Sequence, residues 1–467
     1  MEIKFGTDGW RAIIAKDFTY SNLNRVSQAT ARWIKDEEIT NNGVVIGHDS
    51  RFMGREFSEF TASVFASMDI PVRFANRMAA TPALSWAALE YDAVGVVITA
   101  SHNPPNYNGF KIKAPFGGPA TPEQIDAVET RIPDADPDFE PRDFHSLVSE
   151  GKIEIMPLND MFLDVIRERI DIEKIKSSGL KIGHDPMYGV SQGMIKTLLP
   201  DQTFELHADT NPGFKGTAPE PILKNLHTFA EFVKENKCDI GIANDGDADR
   251  VGLFDENGRF VDSHMVLSLL AKYLSQEKGL SGTIVKTFST TSLLNKQAQK
   301  YNLPIETTKI GFKYIADKIV NGDVLLGGEE SGGLAVKGHI PERDGIFIGL
   351  TITEMMMHYG KPLSALVQDL FDEFGPHYNT RVDMHTTDAK KHAMIAHCKE
   401  KKVKTINGKK VIKWEFTDGI KHWMEDGSWV LVRPSGTEPV LRIYSEDRSE
   451  EVAEQNAGFV SNIVDQF

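Results

Sequence analysis

Cysteine is nearly absent from this chain: Cys238 and Cys398 are the only two in 467 residues, too few for a disulfide framework. Positive charge is also in deficit. Fifty-two Lys and Arg against 67 Asp and Glu give a formal net charge of −15, which opposes a broad nucleic-acid-binding or anionic-membrane surface. No Gly-x-x-x-x-Gly-Lys-[Ser/Thr] occurs, which argues against a P-loop nucleotide enzyme. The start, Met1-Glu2-Ile3-Lys4, resembles neither a signal peptide nor a membrane span, so a cytoplasmic location is expected. What remains is a length that predicts three or four domains and a 40% hydrophobic content able to fill several cores.

The apolar run Ala93-Val94-Gly95-Val96-Val97-Ile98 predicts a strand buried in a parallel sheet, and Asn103-Pro104-Pro105 can continue neither strand nor helix. The intervening Thr99-Ala100-Ser101-His102 therefore presents a hydroxyl nucleophile at a strand end, where open α/β sheets bind ligands. Serine needs a neighbour to take its proton, and His102 and Lys111 are the local candidates.

A second strand, 238–243, leads into Asn244-Asp245-Gly246-Asp247-Ala248-Asp249-Arg250. Three carboxylates at alternate positions can converge on one hard cation, and oxygen ligands suit Mg²⁺. With Glu256 they match the EF-hand spacing, yet Arg250 stands where that loop demands glycine, and 251–254 reads as a strand. A third strand, Val324-Leu325-Leu326, precedes Gly327-Gly328-Glu329-Glu330-Ser331-Gly332-Gly333, in which Glu329 and Ser331 offer an acceptor and a donor to adjacent sugar-type hydroxyls. A fourth, 429–432, precedes Arg433-Pro434-Ser435-Gly436-Thr437-Glu438-Pro439, whose guanidinium, hydroxyls and backbone N–H groups suit a phosphate. At the N-terminus, Phe5-Gly6-Thr7-Asp8-Gly9-Trp10-Arg11 presents Arg11 on a glycine-flanked turn.

Five such motifs, in this order from residue 5 to residue 439, resemble the α-D-phosphohexomutase superfamily of phosphoglucomutases, phosphomannomutases and phosphoglucosamine mutases. The resemblance implies an α/β, four-domain, heart-shaped architecture, with three related α/β domains and a smaller C-terminal α+β domain around a central cleft. It implies that Ser101 is the phosphoserine and shares the metal site with Asp245, Asp247 and Asp249, which hold Mg²⁺. His102, Lys111 and Arg11 take part in proton transfer and charge stabilisation. Arg250, Gly311, Phe312, Lys313, Glu329, Ser331, Arg433, Ser435, Gly436 and Thr437 bind substrate. The implied reaction exchanges phosphate between C1 and C6 of a hexose through a hexose 1,6-bisphosphate, which serves as intermediate and activator. Alternatives are a glucose 1,6-bisphosphate synthase with a donor such as fructose 1,6-bisphosphate, a phosphomannomutase, and a non-catalytic sugar-phosphate binder. Partners are small hexose phosphates, with no nucleic acid and no membrane, and the chain is expected as monomer or homodimer.

Phosphomannomutase and phosphoglucosamine mutase members commonly place histidine after Glu-x-Ser-Gly, whereas Gly333 stands here. Together with the aromatic Phe312 after Gly311, this resembles the glucose-type enzymes and leaves more of the proton transfer to His102 or Lys111. Gly189-Val190-Ser191-Gln192-Gly193 fits the Gly-x-Ser-x-Gly elbow of α/β-hydrolases, but Pro186 and a loop separate it from its strand, so Ser191 is read as a packing or helix-start residue. Ile-Gly-His-Asp recurs at 46–49 and 182–185, a faint internal repeat. Proline- and glycine-bearing loops suggest domains at 1–145, 146–254, 255–374 and 375–467, and Asn407-Gly408 predicts a hairpin in the last.

Overall fold

The computed structural model describes residues 3–6, 8–435 and 440–467. Four sheets form among them. The first contains β1 (Trp10–Ile13), β2 (Val44–His48), β3 (Val72–Ala75), β4 (Val94–Ile98), β5 (Tyr107–Lys113) and β6 (Ile153–Met156), in the order β1-β5-β4-β2-β3-β6. The second contains β7 (Ile182–Asp185), β8 (Thr203–Glu205), β9 (Ile240–Asn244), β10 (Val251–Phe254) and β11 (Phe260–Val261), in the order β11-β10-β9-β7-β8. The third contains β12 (Thr283–Thr287), β13 (Ile305–Thr308), β14 (Val324–Gly328) and β15 (Leu334–Val336), in the order β13-β12-β14-β15. The fourth contains β16 (Tyr378–His385), β17 (Thr405–Ile406), β18 (Lys409–Glu415), β19 (Ile420–Met424), β20 (Trp429–Pro434) and β21 (Val440–Asp447); every pairing in it is antiparallel.

The first three sheets repeat one unit. A central strand pairs in parallel with the next strand on one side and with a third on the other, and the third turns back into an antiparallel fourth. The third strands, β4, β9 and β14, are buried throughout, as continuous apolar runs flanked on both faces require. Each Ile-Gly-His-Asp copy lies on or at the end of a central strand, β2 or β7.

Two small edge strands set the sheet limits apart from the sequence reading. The boundary expected at 145/146 precedes β6, which pairs with β3 in the first sheet, and the one expected at 254/255 separates β10 from its partner β11. Both strands are too short to carry an apolar run, and β6 is exposed at its two central residues. Parts of the first three units share a continuous apolar core that runs from Val45 to Leu370. The fourth has its own, around Met394, Val430, Leu441 and Val460, and meets the third through Phe288, Trp429, Leu431 and Tyr444. No helix among the described residues is long and apolar enough to cross a membrane.

Candidate active site

The turn from third to fourth strand carries a motif in every repeat: Ser101 between β4 and β5, Asp245 to Arg250 between β9 and β10, and Glu329 to Gly333 between β14 and β15. Ser101 adopts a left-handed φ of 52° and is buried. Its N–H donates to Thr99 Oγ1 (2.8 Å), and that hydroxyl donates to Asp49 Oδ2 (2.6 Å), so the turn is stitched to the end of β2. Ser101 Oγ donates to Asp245 Oδ2 (2.7 Å) and lies 3.3 Å from His102 Nδ1. Nucleophile and acidic loop meet across two domains. Gly246 permits this approach, since a Cβ there would stand 2.7 Å from the Ser101 carbonyl oxygen.

Asp245, Asp247 and Asp249 bring ligand oxygens within 4.8 Å of one another, all buried. Glu256, which completed the EF-hand spacing, instead accepts from Ser364 in the third unit. Asp247 Oδ2 accepts from Thr81 Oγ1 (2.6 Å) and Lys111 Nζ (2.8 Å), and Asp249 Oδ2 accepts from Lys111 Nζ (3.2 Å) and Arg343 Nη2 (2.7 Å). Their other oxygens, Asp247 Oδ1 and Asp249 Oδ1, are buried without a hydrogen-bond partner. Buried carboxylate oxygens are costly when unpaired, so an all-oxygen set with two orphans fits a hard divalent cation.

Lys111 spends its three donors on Asp247, Asp249 and Asp8 Oδ2 (2.7 Å). Burial pulls its ammonium toward neutrality, but the three carboxylates outweigh that and raise its pKa above the lysine range. Asp247 shows the converse: burial pushes it up, and Lys111 pulls it below the usual carboxylate range. Asp245 has no such cation in contact, and burial with the Asp249 and Asp247 charges drives it well above that range. Burial and the cations Arg250, Arg11, Lys111 and Arg51 hold His102 well below its ordinary value, so it is neutral at pH 7. Arg11, on β1, donates to Asn103 Oδ1 (2.8 Å) beside the nucleophile's turn.

The loops of the second and third units are joined by a bridge between Arg250 and Gly333. Arg250 Nε is buried without a partner, an N–H available to an anion. Burial pushes Glu329 up to about 7 against the pull of Arg343, and Ser331 is half-buried beside it. Gly311, at φ 135°, precedes the helix Phe312–Asn321. Phe312 is buried, with its ring centre 5.2 Å from the Arg343 guanidinium carbon. Lys313 lines a cavity of about 90 Å³ with Phe5, Asp8 and Glu129. In the fourth unit Arg433 Nε donates to Asp418 Oδ1 (3.1 Å), and Asp418 Oδ2 accepts from Ile310 N–H (2.9 Å), which ties the β20 end to the loop before Gly311. Ser435 is buried and its N–H donates to the Val440 carbonyl (2.9 Å). Gly436 and Thr437 lie outside the described residues.

Four residues that sequence reasoning left without a role belong to this site. Thr81, at the first turn of the helix Thr81–Glu90, donates to Asp247 through both N–H and hydroxyl. Asp8 accepts from Lys111 and from Arg343 Nη2 (2.6 Å). Arg343 precedes Asp344, whose Oδ1 caps the helix Gly345–Tyr359, and that cap aims the guanidinium inward. Gly333 makes room for it: a Cβ there would lie 2.4 Å from Arg343 Cδ. Arg51 holds the turn that carries Ser101. Asp8 was visible within its motif, but neither arginine sits in a pattern that signals its reach. Ser191, from the hydrolase-like elbow, is buried with no partner for its hydroxyl, as a packing serine is.

Family models match nearly the whole chain in order: phosphoglucomutase/phosphomannomutase α/β/α domain I over residues 2–138, domain II over 160–258, domain III over 262–374, and the C-terminal domain over 386–462. A phosphoglucomutase/phosphomannomutase from Thermococcus kodakarensis is 33% identical, covering 97% of this chain and 96% of its own length. A phosphoglucosamine/phosphogalactosamine mutase from Sulfurisphaera tokodaii is 31% identical, with 99% of both covered. Among solved structures, one from Thermus thermophilus described as a phosphomannomutase superposes with a TM-score of 0.87 at 31% identity, covering 100% of this chain and 99% of that one. A Paramecium phosphoglucomutase, pp63/parafusin, shares the fold, with a TM-score of 0.82 at 23% identity, covering 99% and 93%.

Proposed function

This chain belongs to the phosphoglucomutase/phosphomannomutase family and is a phosphohexomutase, and within that family we propose that it interconverts glucose 1-phosphate and glucose 6-phosphate through phospho-Ser101 and a bound 1,6-bisphosphate. The observation that carries this reading is Ser101 Oγ, buried at a strained turn and 2.7 Å from Asp245 within a cluster of three carboxylates.

Asp245, Asp247, Asp249 and Ser101 would hold Mg²⁺. When bound, it neutralises charge that gathers on the transferring phosphoryl group. In the first half-reaction a sugar hydroxyl attacks the phosphorus of phospho-Ser101. The new sugar O–P bond forms, the Ser101 Oγ–P bond breaks, and the hydroxyl proton passes to neutral His102, which delivers it to the departing Ser101 Oγ. Lys111 is a charge stabiliser in this scheme rather than a base, because carboxylates occupy all three of its donors. In the return half, Ser101 Oγ attacks the phosphorus of the other phosphate; the Oγ–P bond forms, the sugar O–P bond breaks, and the Ser101 proton passes to His102, within hydrogen-bond reach, and on to the departing sugar oxygen. Glu329 and Ser331 hold ring hydroxyls in either orientation. Arg433, Ser435, Gly436 and Thr437 keep the idle phosphate, with Arg11 and Arg250 adding positive charge.

Gly333 in place of histidine after Glu-x-Ser-Gly, which resembles the glucose-type enzymes, supports glucose ahead of mannose or glucosamine. The test is a panel of glucose, mannose and glucosamine 1-phosphates with Mg²⁺ and a trace of hexose 1,6-bisphosphate. Glucose 6-phosphate should form fastest, chelator should abolish turnover, and Ser101→Ala should lose both activity and the added phosphoryl mass. Faster mannose or glucosamine turnover overturns the glucose assignment. Stoichiometric release of glucose 1,6-bisphosphate from a donor bisphosphate replaces mutase with synthase.

A further inference from the structure

Arg51 is wholly buried, and each of its five N–H groups has an acceptor. Nε donates to Asp49 Oδ2 (3.1 Å), Nη1 to the carbonyls of Pro104 (2.8 Å) and Tyr107 (3.0 Å), and Nη2 to those of Ser101 and Asn103 (both 2.6 Å). A guanidinium has no further donors, so Arg51 can give nothing to a phosphate. It is spent on four backbone carbonyls of a single turn, the one that presents the nucleophile.

The Ser101 carbonyl is held from two sides. Arg51 binds it, and the backbone of Gly246 packs so close that a Cβ would stand 2.7 Å away. Rotation of that peptide would carry Oγ away from Asp245, so fixing the carbonyl fixes the nucleophile. The face of the Arg51 guanidinium is covered by the second unit: Phe214, itself buried, sets its ring centre 5.0 Å from the guanidinium carbon. Phe214 and Lys215 both take left-handed φ, 47° and 46°, which residues with side chains rarely adopt. Lys215 Nζ in turn lies 5.2 Å from the Tyr188 ring centre. Gly216 N–H donates to the Gly213 carbonyl (2.8 Å) and closes the turn around these two residues, and the turn sets Phe214 against Arg51 and Lys215 against Tyr188.

We propose that Arg51 and Phe214 form a clasp between the first and second units that sets the position of Ser101, with Phe214 a positioning residue whose aromatic face shields the guanidinium from water. The inference rests on Ser101 being the phosphoryl carrier. The test compares Phe214→Ala, Phe214→Leu, Phe214→Tyr and Arg51→Lys with the parent. It reads the rate at which glucose 1,6-bisphosphate adds a phosphoryl group to Ser101 by intact mass, KM for glucose 1-phosphate, and amide hydrogen exchange over residues 99–107.

Phe214→Ala should slow phosphorylation roughly ten- to a hundredfold, the scale of a misplaced reacting group, with KM changed by less than about twofold. Exchange over 99–107 should rise by roughly tenfold as the turn loosens. Phe214→Tyr keeps the π face and should restore both readouts, whereas Phe214→Leu keeps volume alone and should not. Arg51→Lys, with three donors for five acceptors, should reproduce the alanine defect. Parent-like rate and exchange in Phe214→Ala, or a leucine variant equal to the tyrosine one, would overturn the clasp. If the alanine variant does not fold, the leucine and tyrosine pair decides. A parent that accepts no phosphoryl group instead removes the Ser101 reading, while the exchange data still judge the clasp.

Discussion

Glu329 is a carboxyl whose burial, opposed by Arg343, lifts its pKa to about 7 from an ordinary 4.5. Between those values the folded state holds a proton that the unfolded state has released, so Glu329 stabilises the fold at low pH and that contribution is lost as pH rises towards 7. Glu329→Gln should remove the loss. Its melting temperature relative to the parent should therefore climb between pH 5 and pH 7.5, and calorimetry across that range checks the sign. The same carboxyl accepts sugar hydroxyls best when ionised. KM of the parent should fall as pH passes 7 beyond what the substrate's own ionisation near ~6 explains, and the glutamine variant should lack that component. Ser101, the aspartate trio and Arg433 were legible in the sequence because their chemistry is packed into short runs after apolar strands. Arg51 and Arg343 were not, because their partners lie up to 335 positions away.

At the level of elements, the strand-to-turn passage after β4 depends on close backbone approach. Gly109, on β5, lies between β1 and the end of β4, and a Cβ there would stand 2.4 Å from the Thr99 carbonyl oxygen and 2.7 Å from that of Trp10. Backbone atoms on both sides cannot swing away. Gly109→Ala should cost about 1–3 kcal/mol, as overpacking of a tight site does, and should lower activity further by shifting Arg11 and Thr99. Urea unfolding at constant m-value, with kcat measured in parallel, tests this; unchanged stability would mean the turn has slack. The sequence made the repeat visible only through Ile-Gly-His-Asp, yet both copies fall on equivalent central strands. The third unit, expected from the resemblance, lacks that repeat, because β12 reads Thr-Ile-Val-Lys-Thr, which keeps the burial and drops the signature. The turn that follows the third strand carries different groups in each unit: Ser101, the three aspartates, and Glu329 with Ser331.

For the molecule as a whole, no single unit owns the site. Asp8, Lys111, Asp247, Asp249 and Arg343 form one charge network drawn from three units, and the fourth unit is tied separately to the third through Asp418 and the Ile310 N–H. The four-part architecture was readable from the order of motifs. The network was not, because no local pattern signals which of these distant charges pair with one another.

That network has a kinetic consequence. Strand pairs within each sheet close loops no longer than that between Trp10 and Phe110, whereas Ser101 meets Asp245 across 144 residues, Lys111 meets Asp247 across 136, and Arg343 meets Asp8 across 335. Loop closure grows costlier with length, and chains of this size fold domain by domain, so the buried charges come together after the sheets that carry them. During refolding from urea, far-ultraviolet circular dichroism should recover in an early phase and turnover in a later one. Simultaneous recovery would mean that the units fold only as one. Until the last docking event the three aspartates stand without Lys111 and Arg343, mutually repelling and open to water, so the late folding intermediate should be the species most sensitive to ionic strength and to added Mg²⁺.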